Sequence, residues 1–402
     1  VFAGVPIGTY YVTAQNSSGC ISLQTPAIII VSATKTWNGS ASTDWSNGAN
    51  WTPNGVPNAT NCVVIPDLGV KPVISTDAFA NSLTLQNNSL LNVNSNIAIT
   101  VTNAVVVNPG SQFLLADSAS LIQINNVANT VTGTFSMTRN TQPMYRYDYT
   151  YWGSPLTASS NYTLGKLTPA TRADKFYSWI PSVANGSGNW QQESVATIMD
   201  PKKGYIARAP DTYSTDPLAP KVKYIAAFTG TPNNGNISAP VSCGKMGTGT
   251  QDDKWNLLGN PYPSAIDALA FLTANTTING TISLWTHGSA ISASNPDPFY
   301  GDFTYNYSDS DMLVYNASGS LPAGFSGKIA SGQGFMVSMP DNCNGATTAV
   351  NFTNTMRSST YVNNNFYKSA NKNGDVEKNR IWFSMIDKNK MATSAMVGYI
   401  EG

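Results

Sequence analysis

Three neighbouring stretches decide the fold: NSLTLQNNSLLNV at residues 81–93, NIAITVTNAVVVNPGSQFLLA at 96–116 and DSASLIQI at 117–124. Short apolar runs recur in them at intervals of roughly eight to twelve residues, divided by Asn, Gly or Ser. None carries the period of an amphipathic helix. Each run is too short to bury its own face. Stacking successive turns would hide the Leu/Ile/Val rows and leave Asn at the bends. A short parallel β-helix from about Cys62 to Ile124 meets these demands, and a β-sandwich of the same strands is the competing reading.

The rest of the composition agrees with an all-β chain. Glutamate occurs only at Glu193, Glu377 and Glu401, whereas Asn-Gly recurs at Asn38, Asn47, Asn54, Asn185, Asn234, Asn279, Asn344 and Asn373. Long helices draw on Glu, Lys, Leu and Ala; Thr, Val, Ile and Tyr suit a pleated surface, and Asn-Gly suits hairpin turns. The 402 residues suffice for two or three domains. Charged residues are 11% of the chain, and 22 Lys+Arg balance 22 Asp+Glu. That balance gives no electrostatic case for nucleic acid or an anionic membrane. No run of about eighteen apolar residues is present, so no helix spans a bilayer. Few charges and turn-rich strands favour an extracellular setting.

Four cysteines, Cys20, Cys62, Cys243 and Cys343, are widely spaced and lack metal-site spacing. They permit three full pairings, and four unpaired thiols is the other reading. Cys243 with Cys343 is the preferred bond, since both fall in one domain.

Three domains are expected. In residues 1–33, Thr9–Thr13 alternates and a turn follows at Asn16–Gly19, which reads as the last hairpin of an immunoglobulin-like sandwich. Residues 34–135 hold the β-helix-like region behind a Trp-rich entry with Trp37, Trp45 and Trp51. These indoles either cap the apolar core, each N–H finding a backbone acceptor, or form a sugar-stacking platform. Residues 136–402 form a larger, aromatic-rich β-sandwich that continues beyond Gly402. In it, Met144–Trp152 reads as one strand with Tyr145, Tyr147, Tyr149 and Tyr151 on one side. The one helix expected is Ser264–Leu272 with Ser264 as N-cap. Before it, Gly259-Asn-Pro-Tyr-Pro263 reads as a preset strand-to-helix corner, because Pro261 and Pro263 fix two φ angles and bias their neighbours toward extended backbone.

Reactive constellations are lacking in the sequence. His287, the single histidine, has no G-x-S-x-G or Cys-His partner and reads as a turn residue. Asp297, Asp302, Asp309 and Asp311 could offer oxygens to calcium, without EF-hand spacing; no other cofactor is expected. Trp45, Tyr149 and Trp152 are the candidates for stacking on surface glycans. No catalytic residue is assigned.

WNLLGNPYPSAID (255–267), IASGQGFMV (329–337), VNFTNTMR (350–357) and EKNRIWFSM (377–385) together resemble an ordered block of secreted Bacteroidota proteins, found shortly before the C-terminal signal of the type IX secretion system. The WNGS…STDW…NW…PNGVP segment is similar to what precedes that block. The hairpin of residues 1–33 resembles the ending of tandem repeats in very long bacterial surface proteins. The resemblance implies a non-catalytic region of a surface adhesin, tied to attachment or gliding. It also implies export through the type IX translocon, with a β-barrel shuttle protein receiving a signal that lies outside this sequence. The alternative it leaves open is an accessory or carbohydrate-binding region of a secreted polysaccharide-degrading enzyme. Asp117-Ser118-Ala119 matches the O-glycosylation motif of such bacteria, which makes Ser118 a candidate acceptor.

Overall fold

The structure is a computed structural model that describes residues 8–24, 28–30, 34–181, 186–216, 218–244, 254–286, 311–321, 324–364, 366, 380–386 and 392–398. Strand β1 (Gly8–Tyr10) pairs antiparallel with β2 (Ile28–Ile30). Between them Gly19 N donates to Asn16 O at 3.0 Å, which closes the expected turn.

The Trp-rich segment is a plug. Its strand β3 (Thr34–Trp37) pairs antiparallel with β4 (Trp51–Thr52) and parallel with β5 (Cys62–Ile65). Trp37 and Trp45 meet Trp51 edge-to-face at 5.1 and 4.7 Å. The Nε1 atoms of Trp37 and Trp51 donate to Val70 O and Trp45 O, each at 2.9 Å. Trp45 Nε1 has no partner among the described residues, so two of the three indoles find the acceptor expected. Asn50, fully buried, ties the loop together by accepting from Ala41 N and Ser42 N and donating to Asp44 O.

The repeating runs form a parallel β-solenoid, and this decides between the two sequence readings. A first coil holds β5, β6 (Val73–Ile74) and β7 (Ala78–Ala80); a second holds β8 (Ser82–Leu85), β9 (Leu90–Val93) and β10 (Ala98–Val101). The third holds β11 (Val105–Val107), β12 (Gln112–Leu115) and β13 (Ser120–Gln123), and β14 (Thr130–Val131) and β15 (Thr134–Asn140) begin a fourth. Equivalent strands pair in parallel and build three faces, β5-β8-β11-β14, β6-β9-β12-β15 and β7-β10-β13. From the second coil onward the step is 22 residues, with Ser89 on Ser111, Asn81 on Asn103 and Asn103 on Asn125, while the first coil is shorter, with Cys62 on Ser82. Period-two alternation sends Leu83, Leu91, Ile99, Val107 and Phe113 into a core where each is fully buried. The Asn81–Asn103–Asn125 amides hydrogen-bond up one edge at 3.1 and 2.8 Å.

Corners stack as well as strands. Asn88 and Gly110 hold equivalent corners with φ of 62° and 74°, and so do Asn96 and Ser118 at 62° and 67°. A Cβ on Gly110 would stand 2.1 Å from Asn88 Oδ1, so a larger residue there would displace the Asn88 side chain as well as adopt a strained φ.

Next comes an antiparallel sheet of β16 (Tyr149–Trp152), β17 (Phe176–Trp179), β18 (Gly186–Gln192) and β19 (Tyr205–Arg208), in the order β16-β19-β17-β18. A one-turn helix, α1 (Leu164–Leu167), lies in the β16–β17 connection. Strand β20 (Ile225–Thr229) then returns to pair antiparallel with β15. Trp152, Phe176 and Phe228 share one core with the solenoid, so no break in the core falls at 135–136. Tyr145–Asp148 is a turn rather than strand, because Asp148 N donates to Tyr145 O and Asp148 Oδ2 accepts from Tyr145 N. Only Tyr149 and Tyr151 keep the alternation expected of four tyrosines.

A second core follows. It is built from β21 (Ile237–Ser242), β22 (Trp255–Gly259), β23 (Ile266–Asp267), α2 (Ala268–Ala274), β24 (Thr281–Trp285), β25 (Met312–Asn316) and β26 (Gly319–Leu321). Strands β27 (Lys328–Ile329), β28 (Gly334–Ser338) and β29 (Thr347–Phe352) complete it. Its main sheet has the order β22-β28-β24-β25-β26. The helix starts later than expected. Residues 266–267 stay extended in a pair with β27, and Asp267, not Ser264, caps α2 by accepting from Ala270 N at 2.8 Å. Cys243 and Cys343 form the preferred disulfide, with Cα atoms 6.3 Å apart, at the end of the β21–β29 pair. Strands β30 (Arg380–Ile386) and β31 (Ala392–Gly398) form a separate antiparallel hairpin.

The Gly259–Pro263 stretch is more than a corner: it is the joint between the two cores. Gly153 and Gly259 stand back to back, and a Cβ on Gly259 would lie 2.3 Å from Gly153 Cα. Asn260, fully buried, donates to the carbonyls of Ser264, Ile329 and Ala330 and accepts from Tyr262 N. Pro263 O accepts from Leu121 N of the solenoid at 2.9 Å. Arg357, 6% exposed, reaches Leu121 O at 2.6 Å, Ser264 Oγ at 2.8 Å and Asn354 Oδ1 at 2.9 Å, over the Tyr262 ring at 4.5 Å.

Replacing Cys243 and Cys343 together by Ser is expected to lower stability by ~2–4 kcal/mol, since their bond closes a long loop. Urea titration followed by tryptophan fluorescence checks this, and midpoints equal to the parent's would contradict it. Gly259→Ala forces the two cores apart at the glycine contact and is expected to cost about 1–3 kcal/mol, read as a lower melting temperature with a parent-like β-rich circular dichroism spectrum.

Candidate functional site

Strand parity builds a seam of aromatic rings on the β16–β19 sheet. Thr150 and Trp152 point into the shared core, so Tyr149 and Tyr151 point the other way. Cross-strand register places Tyr149 beside Arg208, Tyr151 beside Ile206, Tyr177 beside Ile206 and Trp179 beside Trp190. Leu257 and Met336 of the second core's sheet cover part of this face. Trp190, Ile206, Leu257 and Met336 are buried, whereas Tyr149, Tyr151, Tyr177 and Trp179 stay half-buried. Trp179 meets Trp190 edge-on at 4.9 Å, and Tyr151 stacks on Trp285 at 5.9 Å with an 11° interplanar angle.

Charged groups rim one end. Arg208 pairs with Asp211, which also receives Arg146 Nε at 3.3 Å, and both guanidinium groups lie over the Tyr147 ring. Arg172 grips Asp174 with two bonds of 2.5 and 2.6 Å, which hold that carboxyl below the usual range. Tyr177 donates to Asp174 O at 3.1 Å. Burial pushes the Tyr149 and Tyr151 phenols above their ordinary value. The Tyr149, Tyr177 and Trp179 rings keep a partly exposed margin on this face, Tyr151 is covered by Trp285, and guanidinium groups lie at the rim.

Of the residues singled out from sequence, only Tyr149 lies here. Trp152 is 1% exposed and packs on Phe366 at 4.7 Å and Phe228 at 6.0 Å, and Trp45 is 2% exposed inside the plug. Neither ring has a face left for a sugar, so both are core residues. Ser118 is 6% exposed at a solenoid corner, and its hydroxyl donates to Asp117, whose other oxygen accepts from Asn140 N. The Asp-Ser-Ala triplet is therefore built into the coil and does not present its hydroxyl to a transferase. Asp311 is buried, with its carbonyl accepting from Thr286. Asp297, Asp302, Asp309 and His287 lie outside the described residues. Among the described residues no three His, Cys, Asp or Glu side chains gather as a metal site.

Sequence alternation already put Tyr151 on the face of Tyr149, but it missed Tyr177, Trp179, Trp190 and Arg208 as neighbours there. Alternation in KFYSWI carries the Tyr177–Trp179 face, while the approach of Trp190 and Arg208 depends on strand order. No helix among the described residues is long and apolar enough to cross a membrane. Residues 36–402 match the family described as a domain of unknown function (DUF8693), and the chain belongs to that family. No curated protein and no solved structure matches it.

The buried phenols set an alkaline limit. Burial raises Tyr205 from 10.0 to about 12 and also raises Tyr149, Tyr151, Tyr162 and Tyr262. A raised folded value means that this stabilisation is complete below pH 10 and is lost as pH climbs toward 12. Arg139 and Arg357, lowered from 12.5 to about 10, act in the opposite sense across that window, but five phenols outweigh two guanidinium groups. The urea midpoint is expected to fall steeply above pH 10, together with the appearance of tyrosinate absorbance. A midpoint that stays flat to pH 12 would refute the assignment.

Proposed function

We propose that this member of the DUF8693 family is a non-catalytic scaffold region of a secreted cell-surface adhesin, exported through the type IX secretion system. The observation that carries the proposal is the joint. Arg357, Pro263 and the Gly153–Gly259 contact fuse solenoid and sandwich through buried hydrogen bonds rather than through a linker. A chain joined in this way transmits force and orientation from one end to the other, which is what a stalk presenting upstream modules requires. The Cys243–Cys343 disulfide supports an oxidising, extracellular setting. The ordered WNLLGNPYPSAID and VNFTNTMR motifs, which supply the joint, are also the motifs that carry the resemblance to type IX cargo.

The aromatic seam supports a second reading, a carbohydrate-binding module. Its half-buried Tyr149, Tyr177 and Trp179, with Arg208 and Arg172 at the rim, are the observation that favours it.

In the producing bacterium, the protein is expected at the surface, open to added protease, and retained inside once the type IX translocon is disabled. Surface display that persists without the translocon would overturn the export route. On a glycan array, silence favours the scaffold alone; binding lost in Tyr149→Ala and Tyr177→Ala favours the module.

A further inference from the structure

A solenoid has an end, and the last strand of each face presents N–H and C=O groups with no further coil to pair them. One face is closed by a strand, since β20 adds antiparallel to β15. At the end of a second face, next to β14, the Asn129 side chain donates to Pro232 O at 3.0 Å. The third face ends at β13 and is closed differently. The groups of β13 that point back pair with the previous coil, Ser120 N to Ile97 O and Ile124 N to Val101 O. The Ala119 carbonyl and both backbone groups of Leu121 point outward, while Ala119 N donates to Ala116 O, and no strand of the described residues pairs with this edge.

Three unrelated groups take the place of that strand. Leu121 N donates to Pro263 O at 2.9 Å, Leu121 O accepts from Arg357 Nη2 at 2.6 Å, and Ala119 O accepts from the Asn363 side-chain amide at 2.8 Å. Taken along the strand, the Asn363 amide, the Pro263 carbonyl and the Arg357 guanidinium reproduce the donor–acceptor–donor alternation that a real coil would offer. All three sit on the second core or on the segment leaving it. Asn363 is itself held by Ser331 N at 2.8 Å, and Arg357 by Ser264 and Asn354. The cap therefore moves as a unit with the sandwich.

We propose that β13 is a latent strand-pairing edge, masked in the folded chain by the Pro263–Arg357–Asn363 cap, and that its partner when unmasked is the same edge of a second copy of this chain. Two identical edges meet antiparallel about a twofold axis, so each copy supplies the donors and acceptors the other needs. Ile122, of opposite parity on β13 to the core residue Leu121, is 1% exposed, so unmasking also uncovers apolar surface beside the edge. The proposal concerns association between copies and stands or falls independently of the export route.

The test compares the parent with the double variant Arg357→Ala/Asn363→Ala, and with Arg357→Lys, which keeps the charge and stem but cannot reach three acceptors. Near-ultraviolet circular dichroism of the buried tryptophans confirms that each is folded; if the double variant is not, Arg357→Lys is read in its place. Amide exchange is expected to speed several-fold in the segment 119–123 of a folded variant, while the equivalent segment 98–101 one coil earlier stays protected. Light scattering is expected to show the variant's mass doubling as concentration rises, with the parent monomeric throughout. Adding Ile122→Lys, which sets like charges face to face across the twofold axis, is expected to return the variant to monomer. Exchange that rises equally in both segments, a folded variant that stays monomeric at every concentration, or a dimer indifferent to Ile122→Lys would each overturn the proposal.

Discussion

A guanidinium taken out of water must find acceptors at once, and Arg357 finds them on both sides of a boundary. It bonds Leu121 of the solenoid and Ser264 and Asn354 of the second core, and lies on the ring of Tyr262. None of these partners is a carboxylate. Desolvation accordingly lowers its pKa from 12.5 to about 10, still well above neutrality, so the group remains charged and its demand for acceptors remains strong. Any movement that separates the two cores leaves this cation with too few bonds. The remaining contacts at the joint, with their glycines and prolines, serve to let the two backbones come close enough for Arg357 to reach across.

The solenoid explains why such a joint is needed. A coil of 22 residues cannot bury its own apolar row; it is stable only between neighbours, and the outermost coils have one neighbour each. At the first end three indoles and the buried Asn50 close the core. At the other end the cap is assembled from distant chain segments, because β15 belongs at once to the solenoid and to the pair with β20. Arg139, on β15, repeats the Arg357 arrangement on a smaller scale: it is buried, donates to Asn363 O at 2.7 Å and lies over the Phe366 ring at 5.2 Å. The solenoid and the sandwich are thus completed by the same strap of residues.

Local periodicity made the solenoid, the N-terminal hairpin and the all-β class legible, since each depends on residues a few positions apart. The Cys243–Cys343 bond followed from grouping by domain. What failed was anything set by strand order. Of the two readings of Trp45, core cap or sugar platform, the cap holds, and Trp152, also a candidate for stacking on glycans, is buried by other segments packed on it. Alternation of Tyr145 and Tyr147 looked continuous with Tyr149 and Tyr151, but the Asp148 side chain competes for Tyr145 N and turns the chain. Ser264 lost the helix cap because Ile266–Asp267 pairs with β27 from more than sixty positions away. Tyr149 was found and its ring partners were not, for the same reason. Arg357 carried no sign of its role, since a lone arginine in VNFTNTMR looks like any exposed charge.

The scarcity of charge, 11% of residues, also has a structural cause. Where the chain must bury a polar bridge it usually uses asparagine. Asn233 donates to Leu156 O and Pro261 O, Asn256 to Ser242 O, Asn260 to three carbonyls, Asn275 to Phe271 O and Asn351 O, and Asn363 to Ala119 O. A carboxamide supplies donor and acceptor together, so it can clamp two backbone segments without the desolvation cost of an ion. Lys or Glu at these sites would need a buried counter-ion, and serine would be too short to span. The charge-poor composition thus comes from the same residues that lock irregular β segments to one another. Arg139 and Arg357 are the exceptions, two buried guanidinium groups at the solenoid's end that work beside the Asn363 amide.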